Sequence, residues 1–226
     1  MAEMWRTEWV GKRAKVAIQL ASGDCGGTYG DAALILCSCL SAVAADVWPG
    51  DRVDRNRFVE LLERYAPSQL AATRVSVPLL VEDLRRQQKD AEASQLESKF
   101  LQQFSTETIL IGNEVDKDEN EIQAACGSVS SKCLRMFSYD DLLYREVRSS
   151  YTHEGKTGHV AESWSMTALA THVSYVNWSI PPRRRIHFPI EWIAELARGA
   201  AEAVDQMMPV IPSTPFQPPA KWWLEG

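Results

Sequence analysis

Arg148 and His153 stand five residues apart between Leu142 and Gly155, with Arg145 three residues before Arg148 and Ser149 directly after it. Histidine is the side chain that titrates near neutral pH and moves protons, while a guanidinium grips a phosphate and offsets the extra charge of its transition state. With an RNA 2′-hydroxyl as internal nucleophile, such a set suffices for phosphodiester cleavage without a metal or any other cofactor. Arg148 and His153 are therefore the candidate catalytic pair, and Arg145 is a supporting cation.

These residues need a helix to hold them. Ser138 or Asp140 can cap one from Leu142 to about His153, and Gly155 and Gly158 end it. At about 100° per residue from Arg148, the side chains of Leu143, Val147, Tyr151 and Tyr144 fall between roughly 220° and 320°, an apolar stripe that must face the core. Thr152 (roughly 40°), Arg145 (roughly 60°), Ser149 (roughly 100°) and His153 (roughly 140°) share the opposite, polar arc with Arg148. Tyr151 thus supports the site from the core side. Arg148 and His153 point about 140° apart and are separated by roughly 7.5 Å along the axis, so one helix does not focus both on one phosphate. Pairing this face with its symmetry mate brings arginine and histidine from two subunits into one cleft, so the expected state is a homodimer.

The surrounding elements are also legible. Trp5 to Ala21 has helical spacing, and the glycine-rich run Gly23 to Gly30 stops it. Asp31 to about Val47 is nearly all small or aliphatic, as in a helix buried on several sides; its apolar core, Ala32 to Ala45, spans about 14 residues, short of the roughly 20 a bilayer requires. Asp54 is positioned to cap a helix from Arg55 to Tyr65, which Pro67 ends. Ser76 and Pro78 open a long helix whose charged half, Arg85 to Lys99, should project into solvent. The acidic stretch Glu114 to Glu121 reads as an exposed loop or helix start. The runs His172 to Trp178 and Ile186 to Phe188 predict a small β-hairpin within about 168–188, followed by an amphipathic helix from Pro189 to Met207. The expected fold is mostly α, a single domain over 1–207 with the hairpin as an insertion, and a Pro-rich tail over 208–226 in which Trp222 and Trp223 dock onto the body or a second subunit.

Composition narrows the function. The 226 residues carry a net charge of −6, which disfavours indiscriminate nucleic-acid binding while leaving room for a local basic site. Arg183, Arg184 and Arg185, beside His187, form such a cluster and are candidate RNA-phosphate contacts. Five cysteines without a repeated spacing, and an N-terminus without a basic-then-apolar leader, point to a reducing, cytoplasmic setting with no membrane association. Cys37 and Cys39 turn away from each other on their helix, no Cys/His pair has a zinc spacing, and Gly23 to Gly30 lacks the Lys-Ser/Thr of a phosphate loop, so neither metal nor nucleotide cofactor is expected. His159 and His172 lack a recognisable partner and read as structural or surface residues.

The segment Leu142-Leu-Tyr-Arg-Glu-Val-Arg-Ser-Ser-Tyr-Thr-His-Glu-Gly155 resembles the signature helix of the HEPN superfamily, an Arg-polar-x3-6-His motif placed before a glycine. The apolar second helix, Trp48-Pro-Gly-Asp, and Asp54-Arg-Asn-Arg-Phe-Val-Glu-Leu-Leu extend the resemblance to about two thirds of the chain. It implies an all-α, frequently dimeric bundle and a metal-independent endoribonuclease acting on single-stranded RNA. It also implies a toxin–antitoxin, CRISPR or phage-defence setting with an antitoxin or defence-complex partner. The motif arginine falls on Arg148, the polar position on Ser149 and the histidine on His153. Active members more often carry Asn, Asp or His where this chain has Ser149; the resemblance therefore also accommodates a catalytically silent module that binds RNA, a nucleotide or a partner protein.

Overall fold

Alanine, leucine and valine line α2 (Tyr29–Val47) so completely that ten of its residues are buried. In the computed structural model, which describes residues 4–23, 25–105, 107–163, 171–177 and 183–207, this helix is the axis of the molecule. Thr28 and Asp31 form a reciprocal capping box at its start. With 19 residues it outruns the 14-residue apolar core read from the sequence, and it is long and apolar enough to cross a bilayer by composition alone. Its apolar side chains are instead covered by α1 (Trp5–Ala21) and α11 (Ile190–Met207), which also pack on each other, and by α3 (Asp54–Tyr65). Fully buried Leu36 and Leu40 each contribute about 1.5–3 kcal/mol to that packing.

A buried carboxylate ties α11 to the start of α1. Asp205, near the end of α11, accepts hydrogen bonds from the Thr7 backbone N–H and hydroxyl at 2.8 Å, and pairs with the buried Arg6 guanidinium at 3.0 Å.

The expected long helix is two. α4 (Val77–Arg86), capped by Ser76, stops at a turn in which Gln88 adopts φ 61°, and α5 (Asp90–Leu96) resumes and widens into a π-helical turn, Glu97–Leu101. The charged half does not simply project: Ala93 and Leu96 are fully buried, because the break lets α5 fold back beside α4. Asp54 is the first helical residue of α3, whose N-cap is Val53, and it pairs with Arg57 instead of capping.

The hairpin is present and is part of a larger sheet. β2 (Ser174–Asn177) and β3 (Arg184–His187) pair antiparallel with Tyr175 opposite Ile186, and β1 (Ile109–Ile111) adds a third strand on the β2 edge, Leu110 opposite Tyr175. The order β1-β2-β3 makes a small antiparallel sheet in a mostly helical molecule. β1 leads directly into α6 (Gly112–Val115), α7 (Glu119–Ala125) and α8 (Ser131–Arg135). The acidic stretch within them is not wholly solvated, since Asp116 is 1% exposed. The tail over 208–226, with Trp222 and Trp223, lies outside the described residues, as does part of the predicted hairpin segment.

Candidate functional site

The site helix begins earlier than the sequence indicates and is not uniformly α. α9 (Tyr139–Leu142) runs into a π-helical segment, Leu143–Ser149, and then α10 (Ser150–Glu154), so 139–154 is one continuous rod. A π segment bonds i to i+5 and takes more residues per turn, so angles drawn at 3.6 residues per turn do not carry through it unchanged. The segment also holds Arg148 and Ser149.

Its start is fixed by backbone and by carboxylates. Tyr139 and Asp140 donate their N–H groups to Arg74 and Ala72 carbonyls at 3.0 and 2.9 Å. The Tyr139 ring packs edge-on against Phe188 and Trp192. Asp141 has no exposed side-chain surface and accepts from two arginines, Arg55 Nε and Arg145 Nε, both at 2.8 Å. Burial pushes the Asp140 carboxyl up to about 7, against the opposing hydrogen bonds from the Ser138 hydroxyl and the Asp141 N–H. Along the core face Leu143 and Val147 are buried, as their spacing predicts, and Tyr144 meets Phe58 edge-on at 5.3 Å.

Its end is fixed by aromatic packing and a glycine. Tyr151 lies against Tyr29 at 6.2 Å and closes directly over Gly30, where a Cβ would collide with the ring. Burial raises the Tyr151 phenol, with a hydrogen bond to Ser163 opposing it, so this hydroxyl serves the core side and not the polar arc. Gly155 takes φ 69° as the left-handed C-cap. The chain then returns along the helix, Gly158 N–H bonding Glu146 O at 2.7 Å, and the loop pairs with β3 through Ala161 and Ile186.

The candidate residues separate into two groups. Arg145 is engaged throughout: besides Asp141, it reaches Glu146 Oε1 at 3.0 Å and the Met136 carbonyl at 2.7 Å, so its guanidinium anchors the helix start and is not presented to a ligand. Arg148 differs. It lies half-buried over the Tyr144 ring at 5.1 Å, with Nη1 3.4 Å from the Tyr144 hydroxyl, and makes no ion pair among the described residues. Its charge is felt at Cys37 on α2, where it works against the burial that pushes that thiol up to about 12. Ser149 is half-buried and His153 exposed, and neither side chain makes a hydrogen bond among the described residues. Thr152 and Ser150 instead bond back to the Arg148 and Arg145 carbonyls.

The basic cluster does not form one patch. Arg184 donates its backbone N–H to Glu82 and its guanidinium to the Glu107 and Thr108 carbonyls, Arg185 pairs with Glu162 at 3.5 Å, and Arg183 alone of the three is exposed. Pairing along β3 explains the split, since successive strand residues face opposite sides. His187 is buried, its Nδ1 3.0 Å from the Glu162 carbonyl, and burial lowers its basicity. His159 and His172 are exposed, the latter 2.9 Å from the Thr171 hydroxyl. Among the described residues no three His, Cys, Asp or Glu side chains converge as a metal site.

One polar centre has no counterpart in the sequence reading. Asp116 receives the hydroxyls of Tyr139 and Tyr175 and the Val77 N–H, and the Tyr175 oxygen in turn accepts from the Ser76 hydroxyl at 2.9 Å. Burial pushes the Asp116 carboxyl up to about 7. The network joins α4, β2 and the site helix, three elements far apart in sequence, so no local spacing could reveal it.

Comparison with protein-family models, curated proteins and solved structures returns no match to this chain.

Proposed function

We propose that this protein is a metal-independent endoribonuclease of the HEPN type, acting as a homodimer on single-stranded RNA in the cytoplasm. The observation that carries the reading is the contrast on one helix: Arg145 is neutralised by Asp141 and Glu146, whereas Arg148 makes no ion pair among the described residues and His153 stands exposed two residues before the cap. An unpaired, half-buried guanidinium is costly unless a ligand supplies the anion, and a phosphodiester is such a ligand.

In the proposed step the RNA 2′-oxygen attacks the adjacent phosphorus and the bond to the 5′-oxygen breaks, leaving a 2′,3′-cyclic phosphate and a 5′-hydroxyl. His153 transfers the proton and Arg148 holds the non-bridging oxygens as their charge grows. Ser149 occupies the polar motif position and Tyr151 fixes the helix end on Gly30. Because Arg148 lies over the Tyr144 ring while His153 stands exposed near the helix end, each phosphate in this reading is served by Arg148 of one subunit and His153 of the other. Five free cysteines fit a reducing compartment, and an antitoxin or defence-complex partner is the natural restraint on such an activity.

The competing reading, an HEPN-like scaffold that binds RNA, a nucleotide or a protein without cutting, draws on the sequestration of Arg145 and of Arg184 and Arg185, which withdraws three of the candidate cations from a scissile phosphate. Incubating labelled single-stranded RNA with the purified protein in EDTA separates the two. Cleavage to cyclic-phosphate ends supports the nuclease; intact RNA that is nonetheless retained by the protein supports the scaffold.

A further inference from the structure

A 540 Å³ cavity opens between α4, the π-helical turn Glu97–Leu101 and the sheet, far along the chain from the site helix. That volume lies within the range of small-molecule sites, about 300–1,000 Å³. Val81, Leu101, Phe104 and Leu110 give it apolar walls. One wall is the π turn, a helical distortion that widens the backbone and recurs at ligand sites.

Glu82 stands at this cavity more than half-buried, and its carboxylate lacks a salt bridge among the described residues although three arginines surround it. Arg86 pairs with Asp83, Arg184 sends its guanidinium to the Glu107 and Thr108 carbonyls and gives Glu82 only a backbone N–H at 2.7 Å, and exposed Arg183 makes no ion pair with it among the described residues. At the cavity wall Arg85 crosses to Glu97. Burial accordingly raises the Glu82 carboxyl, with the arginine charges opposing it only from a distance. A part-buried carboxylate held by one hydrogen bond among the described residues is costly to keep ionised. An anionic ligand would meet Glu82 with the lining guanidiniums already taken by Glu97 and by backbone carbonyls, and a neutral apolar one would strip Glu82 of its remaining water without replacing it.

We propose that this cavity is a binding site for a small organic cation, an amidinium or protonated amine on an apolar body, whose charge is met by Glu82. The apolar body fills the space beside Phe104 and Leu110 while the donor head completes the free side of the carboxylate. This assignment does not rest on the nuclease reading, because none of its residues belongs to the site helix.

Isothermal titration of the full chain with benzamidine, with its uncharged analogue benzamide and with cyclohexylamine tests it. The expected result is saturable binding of both cations to the wild type, and affinity for benzamide at least about tenfold weaker. Glu82→Gln, which retains an acceptor for the Arg184 N–H, should weaken benzamidine about tenfold or more. Ser98→Trp, at an exposed position on the cavity rim, should abolish binding with the circular dichroism spectrum unchanged. Failure of both cations to bind the wild type, or benzamidine affinity unmoved by Glu82→Gln, would overturn the proposal.

Discussion

The two halves of the site helix carry similar residues and treat them in opposite ways. At its start, buried Asp141 binds Arg55 and Arg145 together, so charge is cancelled inside the fold and the helix is held in place. Toward its end Arg148, Ser149 and His153 have no such partners among the described residues, and an aromatic contact, Tyr151 on Gly30, does the anchoring instead. An arginine three residues from another is thus no guide to role; the carboxylate within reach decides. The first half is held by buried charge, and the proposed function places ligand binding in the second, so the two can be probed separately through Arg145 and Arg148.

The largest expected effect is on activity at the end of the helix. Arg148→Ala should reduce RNA cleavage about 10²–10³-fold, the scale for losing one transition-state donor, while shifting unfolding free energy by less than about 1 kcal/mol. Arg145→Ala should do the reverse, lowering stability by about 1 kcal/mol, with the part-exposed pair screened by solvent, and leaving cleavage per folded molecule unchanged. If the two variants lose activity equally, the division of the helix fails.

The pH dependence of stability should come from the start as well. Asp140 and Asp116 both have carboxyls pushed from 3.8 up to about 7, so the folded chain holds those protons more tightly than the unfolded chain does. The stabilisation is therefore full below about pH 4 and is lost as pH rises through about 7. Asp140→Asn should flatten this slope in denaturant titrations across that window.

Asp141→Asn comes next. It keeps the shape and removes the charge that two guanidiniums share, at a cost of about 2 kcal/mol read from the urea midpoint. Smallest is Gly155→Ala, which forces a Cβ into the left-handed region and should cost about 1 kcal/mol by fraying the last turn. Because that turn carries His153, cleavage should fall further than the stability change alone explains.

How much of this was visible beforehand depends on whether the cause was local. α1, α2 and α11 follow from apolar spacing, and the Leu143–Val147 stripe correctly gave the buried face of the site helix. The break after Arg86 was hidden because Gln87-Gln88-Lys89 contains neither glycine nor proline; tertiary packing of Ala93 and Leu96 imposes the left-handed turn. β1 is three residues long and exists only because β2 offers it an edge. Asp141 four residues before Arg145 was a readable pair, yet its burial depends on Arg55 arriving from α3, and the Asp116 centre depends on Tyr139 and Tyr175 in the same way. The exposure of His153 was legible from the helix period; the isolation of Arg148 was not, since it reflects where every nearby carboxylate points.

Subunit mixing tests the central claim most directly. Arg148→Ala and His153→Ala proteins, each inactive alone in EDTA, are combined, allowed to exchange and assayed on the same RNA. A composite site predicts recovery to about a quarter of wild-type activity, since half the dimers are mixed and each of those rebuilds one of two sites. A mixture as inactive as its components, or cleavage that survives in either variant alone, would contradict it.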